Sequence, residues 1–162
     1  MERMMDIKSG QKYPAGALSN FAPHPFVFRD VKVASMEGFV QALKFKDVEM
    51  QKHICTLVGF AAKKSGSKKN WQREQVLWWD GKPYPRKSDE YQELLDEVYT
   101  AMFTQNEKAR KALMATRDAN LTHSIGRTNK AETVLTSTEF CSRLMKTRRI
   151  LQHNEAFKGL VE

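Results

Sequence analysis

Glu37, Gln41 and Lys44 fall about one helical turn apart in the stretch ASMEGFVQALKF, residues 34–45. A helix turning about 100° per residue would carry Met36, Phe39, Val40 and Leu43 on one stripe, with Glu37, Gln41 and Lys44 on the stripe beside it. A polar stripe bordering an apolar one belongs at the rim of a core, where clefts form. There a glutamate can move protons, and a partly apolar cleft would raise its pKa toward neutrality. An amine there can hold a phosphate or hydroxyl as an ammonium, or attack a sugar carbon as a Schiff-base nucleophile once desolvation lowers its pKa. The spacing alone equally fits a solvated helix face with weak electrostatics.

The elements that must carry this stripe are legible in outline. After Pro23 and Pro25, Phe26 and Phe28 alternate into Val31 and Val33 around Arg29-Asp30, which predicts a short hairpin or strand pair, a small sheet near the N-terminus. Ser35 caps the next helix, running to about Lys46, and an apolar-patterned segment from Ile54 to Ala62 ends in a Gly/Ser/Lys loop. QVLWWDGKPYP carries the type I′ signal Asp80-Gly81 and prolines that exclude a helix, so residues 76–87 read as a surface excursion. Asp89 caps a helix lined by Leu94, Leu95, Val98 and Met102, and Asn106 opens another to about Thr116. THSIGRTNKAET is loop-like. Thr136 and Glu139 form a capping box for a last helix through Leu151, with Lys146, Arg148 and Arg149 suiting its dipole. Residues 1–12 lack a clear period and read as frayed.

A chain of 162 residues with 41% hydrophobic content predicts a single domain with its own core. Neither a membrane span nor a signal peptide is supported, which points to a cytoplasmic setting. Cys55 and Cys141, far apart and without a CxxC, read as buried reduced thiols. His24, His53, His123 and His153 lack metal spacing, and GxGxxG, P-loop and GxSxG patterns are absent, so neither metal nor cofactor is expected. The net charge of +8 attracts phosphate, on nucleic acid or on a small molecule. KKSGSKK at 63–69 and KTRR at 146–149 are locally basic, whereas SDEYQELLDE at 88–97 is acidic.

GALSNFAPHPFVF, SMEGFVQALKF, KKNW, AMFTQNEKARKALMAT and LTHSIG occur in this order. Together they resemble the NADAR family, the YbiA-like N-glycosidases, from about Gly16 to Leu151. Ser19-Asn20-Phe21, Glu37, Gln41-Ala42, Lys44-Phe45 and Asn70-Trp71 match the family's motifs. The resemblance implies a compact, predominantly helical α+β domain that needs no cofactor and hydrolyses a ribose-to-nitrogen N-glycosidic bond. It implies either of two phosphorylated ribose N-glycosides as substrate: ADP-ribose attached to guanine, toward which the strong charge leans, or a ribosylamino-pyrimidine phosphate of riboflavin synthesis. Nucleic acid would meet the basic surface. A non-catalytic module for ADP-ribose or nucleic acid is the rival from another class.

The resemblance assigns catalysis to Glu37 and Lys44 and substrate binding to Asn20, Phe21, Gln41, Asn70, Trp71, His123, Gly126 and Arg127. Trp71 would stack on base or ribose, although a tryptophan taken by itself is more often core. The family's D-x-x-W-G-like pattern is missing: Ile125 precedes Gly126, and no tryptophan follows Trp79. His123 or Asp118 is then the stand-in for the acid. The His-Tyr pair usual after the glutamate is replaced by Gly38-Phe39.

Overall fold

A computed structural model describes residues 3–161. In chain order the elements are β1 (Met4–Asp6), a 3-10 turn (Gly16–Leu18), β2 (Phe26–Phe28), β3 (Val31–Val33), α1 (Met36–Ala42), α2 (Val48–Ile54) and α3 (Gly59–Gly66). They continue with β4 (Val76–Trp79), β5 (Lys82–Pro85), α4 (Asp89–Gln105), α5 (Glu107–Ala115), β6 (Asn120–Thr122) and α6 (Ser137–Val161). This is the expected mainly helical α+β architecture.

Two turn dipeptides build two of the sheets. Arg29 and Asp30 both take positive φ, 47° and 67°, and join β2 to β3 with Phe28 opposite Val31. Asp80 and Gly81 do the same, at 48° and 80°, between β4 and β5. Such connections match the right-handed twist of the strands they join. The second hairpin keeps its turn and prolines at the surface, as they predict, but its other face is buried. Leu77, Trp79 and Tyr84 are buried, and the Trp79 ring packs edge-on against Phe28 at 5.4 Å and tilted against Phe39 at 5.0 Å. Its prolines lie on β5, which pairs on one side alone.

The N-terminal stretch corrects a second expectation. Met4–Asp6 is a strand, paired in parallel with β6, and Ile7 continues the ladder by donating to the Thr122 carbonyl at 2.8 Å. Three residues carry no readable period, and the pairing partner, Asn120–Thr122, is remote in the chain.

Helix boundaries also shift where other elements claim the backbone. α1 stops at Ala42 rather than near Lys46. The Ala42 and Phe45 carbonyls accept from Gln51 Nε2, and the Leu43 carbonyl accepts from Trp78 N at 2.8 Å. The Ile54–Ala62 segment is divided between α2 and α3, because Val58 is extended and Gly59 is left-handed at φ 54°. Asp47 caps α2, with Oδ1 accepting from Glu49 N and Met50 N. Ser88, not Asp89, caps α4, and Asn106 caps α5 as expected. The capping box forms as read: Thr136 N donates to Glu139 Oε1 and Glu139 N to Thr136 Oγ1. α6 runs past Leu151 to Val161. No helix among the described residues is long and apolar enough to cross a membrane.

Phe28, Phe39, Tyr91, Tyr99, Phe103 and Phe140 sit in one continuous apolar core. Cys55 and Cys141 are free and buried, and burial pushes their thiols up to about 12 and about 11.

Candidate functional site

α1 enters the core by its own N-terminus. Ser35 Oγ accepts from Gly38 N at 3.1 Å and donates to the Leu57 carbonyl at 2.9 Å, tying the first turn of α1 to the segment after α2. A Cβ on Gly38 would stand 2.8 Å from the Leu57 carbonyl oxygen and 2.9 Å from that of Ile54. That close approach leaves no room for a side chain at position 38. Glu37 N donates to the Asn20 carbonyl at 2.9 Å, and Asn20 Oδ1 accepts from the buried Tyr99 hydroxyl. The Ser19–Phe21 turn is thereby clamped against α1.

Beside this joint opens a cavity of about 350 Å³. Glu37, Gln41, Asn20 and Phe21 line one side of it. His123, Gly126 and Arg127, from the loop after β6, line another. Glu37 is only 9% exposed and accepts from Gln41 Nε2 at 2.9 Å. Burial pushes its carboxyl up, and the Gln41 hydrogen bond and the charges of Lys63, Lys44 and His123 oppose this without cancelling it.

Lys44 belongs to the same stripe but faces elsewhere. Its Nζ donates to the Gly66 carbonyl at 3.2 Å, and it is not among the residues lining the cavity. Burial pushes its ammonium down, with Glu37 acting in the opposite sense.

His123 is oriented by the strand that looked frayed. Its Nδ1 lies 2.6 Å from the Ile7 carbonyl, which can only accept. The proton is therefore on Nδ1, and Nε2 carries the lone pair while the ring is neutral. The ring stands edge-on to Phe140 at 5.1 Å. Asp6 fastens the same loop, accepting from Ser124 N at 2.8 Å and Ser124 Oγ at 2.6 Å. Of the two candidate stand-ins for the missing acid, His123 lines the cavity and Asp118, exposed beside Arg148, does not.

Asn70 and Trp71, expected as binding residues with Trp71 as a stacking wall, are not among the residues that line this cavity. The indole is 4% exposed and packed in the core, because the chain turns tightly there, with Trp71 N on the Lys69 carbonyl and Gln75 N on the Trp71 carbonyl. Asn70 Oδ1 accepts from Arg73 N within that turn.

Other lining residues lay outside the sequence reading. Thr133, Val134 and Leu135 form a wall without regular secondary structure. It is held by its carbonyls: Arg86 Nε donates to Thr133, the Tyr91 hydroxyl to Val134, and Gln75 Nε2 to Ala131. Arg86 is fully buried and makes a two-point ion pair with Glu139. The capping box marks Glu139 in the sequence, but only the packing shows that it is buried and paired with Arg86. Lys63, named only as one of several basic residues, lines the cavity with its Nζ 6.0 Å from the centre of the Phe21 ring.

This frame is shared with YbiA of E. coli, whose NMR structure matches with a TM-score of 0.63 at 18% identity, over 96% of this chain and 89% of that one. The fold is NADAR/YbiA-like. The chain belongs to the family described as bacteriophage protein GP30.3, a family of the NADAR clan, whose model matches residues 12–149. A 17.1 kDa protein from the Gp30-rIII intergenic region of Enterobacteria phage T4 is 39% identical over 140 residues, 84% of this chain and 91% of that protein.

Proposed function

We propose that this protein is an N-glycosidase that hydrolyses the bond between ribose C1 and a nitrogen, with ADP-ribosyl guanine as the favoured substrate. The observation that carries the reading is Glu37, a buried carboxyl with a raised pKa on the wall of a cavity that also holds Asn20, His123 and Lys63. Membership of the NADAR clan supports the reaction class.

In this reading protonated Glu37 gives its proton to the departing nitrogen as the C1–N bond breaks and its electron pair leaves with the base. Positive charge develops at C1, and water adds there, losing a proton to the Glu37 carboxylate and restoring the acid. Lys63 and Arg127 supply positive charge for substrate phosphates at the same cavity. Lys44 has one property of a Schiff-base nucleophile, a pKa lowered by burial. A covalent step would require its amine to leave the Gly66 carbonyl; held there, it acts as a fixed positive charge behind Gln41.

A non-catalytic ADP-ribose module is the second reading. It draws on Ile125, which stands 67% exposed where the family's tryptophan is expected. The deciding experiment incubates purified protein with ADP-ribosylated guanosine, ADP-ribosylated DNA and a ribosylamino-pyrimidine phosphate, and identifies products by mass spectrometry. Free base from one of these, with turnover lowered at least about a hundredfold in a folded Glu37→Gln variant, is the expected result. Thermal stabilisation by ADP-ribose with no product from any of the three would favour the module.

A further inference from the structure

We infer that Gly66, at the C-terminal end of α3, is the positioning residue for the whole Glu37, Gln41 and Lys44 stripe of α1. Its two faces serve different members. The Gly66 carbonyl accepts from Lys44 Nζ at 3.2 Å. Its α-carbon faces the side-chain oxygen of Gln41, so that a Cβ would collide with that atom while lying 3.1 Å from Gln41 Cδ and 3.2 Å from Lys44 Cδ. Gln41 Oε1 is buried and accepts no conventional hydrogen bond. It occupies the space that a side chain at position 66 would take.

The room left at position 66 lets the amide point as it does. With Oε1 against Gly66, Nε2 is directed at Glu37 Oε1, where it donates at 2.9 Å. A side chain at position 66 would push the amide aside and take that donor from the carboxyl. The glycine is needed for space rather than for backbone conformation: it has no left-handed φ, and the cap that follows, Ser67, is right-handed at φ −64°. It is therefore not the usual left-handed glycine that ends a helix. α3 also presents Lys63 to the cavity one turn earlier, so one short helix both contributes a cation and aligns the stripe opposite.

The test combines Gly66→Ala, Gln41→Ala and the double variant, read by thermal melting and by NMR titration of the Glu37 side-chain carboxyl carbon. Gly66→Ala alone is expected to lower Tm and to raise the Glu37 titration midpoint above that of the wild type. In the Gln41→Ala background the same substitution should leave the midpoint unmoved and cost less Tm, since only the flexible Lys44 Cδ, 3.2 Å from the added Cβ, still has to give. Should Gly66→Ala fail to fold, recovery of a folded protein in the double variant is the expected outcome, and its failure to recover overturns the inference. A Glu37 midpoint unchanged by Gly66→Ala, or an equal loss of Tm with and without Gln41, also overturns it. Neither readout needs a substrate, so the result stands apart from the proposed N-glycosidase activity.

Discussion

At Glu37 burial outweighs the Gln41 hydrogen bond and the nearby charges, so the folded state favours the protonated acid. Its folded pKa lies above the ordinary 4.5, and the sign of its pH dependence follows. The stability linked to its protonation is complete below the unfolded pKa and is lost as pH rises through the folded one. Glu37→Gln removes that cost of ionisation. The variant should melt above the wild type at about pH 8, with the gap closing toward about pH 4, as read by thermal melts across that range; a constant gap would contradict a raised pKa. Lys44 calls for a different measurement. If its lowered pKa serves a covalent step, borohydride should trap a Lys44 adduct of the substrate ribose, and Lys44→Arg should abolish turnover, because a guanidinium is no usable nucleophile. Substantial activity in Lys44→Arg with no adduct on the wild type would leave the residue as an electrostatic contact.

Among the elements, the Thr133–Leu135 wall depends most on a single buried pair. Burial alone would push the Glu139 carboxyl up, but hydrogen bonds from Arg86, Gln92 and Thr136 N outweigh it and hold the group at about 2. Its contribution to stability is present above the unfolded value and is lost as pH falls toward about 2. Arg86→Met leaves this carboxylate buried without its cation, for an expected loss of about 3–5 kcal/mol in urea denaturation. Amide exchange along residues 133–135 should quicken in the same variant, since Arg86 Nε also holds the Thr133 carbonyl. A cost under about 1 kcal/mol would place the pair among ordinary solvated ion pairs. Sequence reading did well at the starts of such elements, as at Ser35, Asn106 and Thr136, where the cap and its partner amide lie within three residues. It did less well at ends: Gln51 and Trp78, remote from α1 in the chain, take the carbonyls beyond Ala42.

For the molecule as a whole, the net charge of +8 acts on any polyanion, whereas a small nucleoside meets chiefly the cavity. Raising salt from about 50 mM to about 200 mM should therefore weaken binding of an ADP-ribosylated oligonucleotide far more than it slows turnover of ADP-ribosylated guanosine. Equal sensitivity would count against a nucleic-acid groove over the lysines at 63–69. What the sequence by itself determined was local: the Asp80-Gly81 turn, the caps at Ser35, Asn106 and Thr136, and the side-by-side apolar and polar stripes of α1. Each rests on residues within about one helical turn or one hairpin connection of one another, where backbone sterics and spacing suffice. Only the tertiary structure decided that Met4–Asp6 pairs with β6 and orients His123, that Trp71 goes to the core, that the Trp79 hairpin buries one face, and that Lys63 of α3 shares a cavity with Glu37. Those outcomes rest on packing between segments distant in the chain, and a local pattern carries no record of which segment will fill the space beside it.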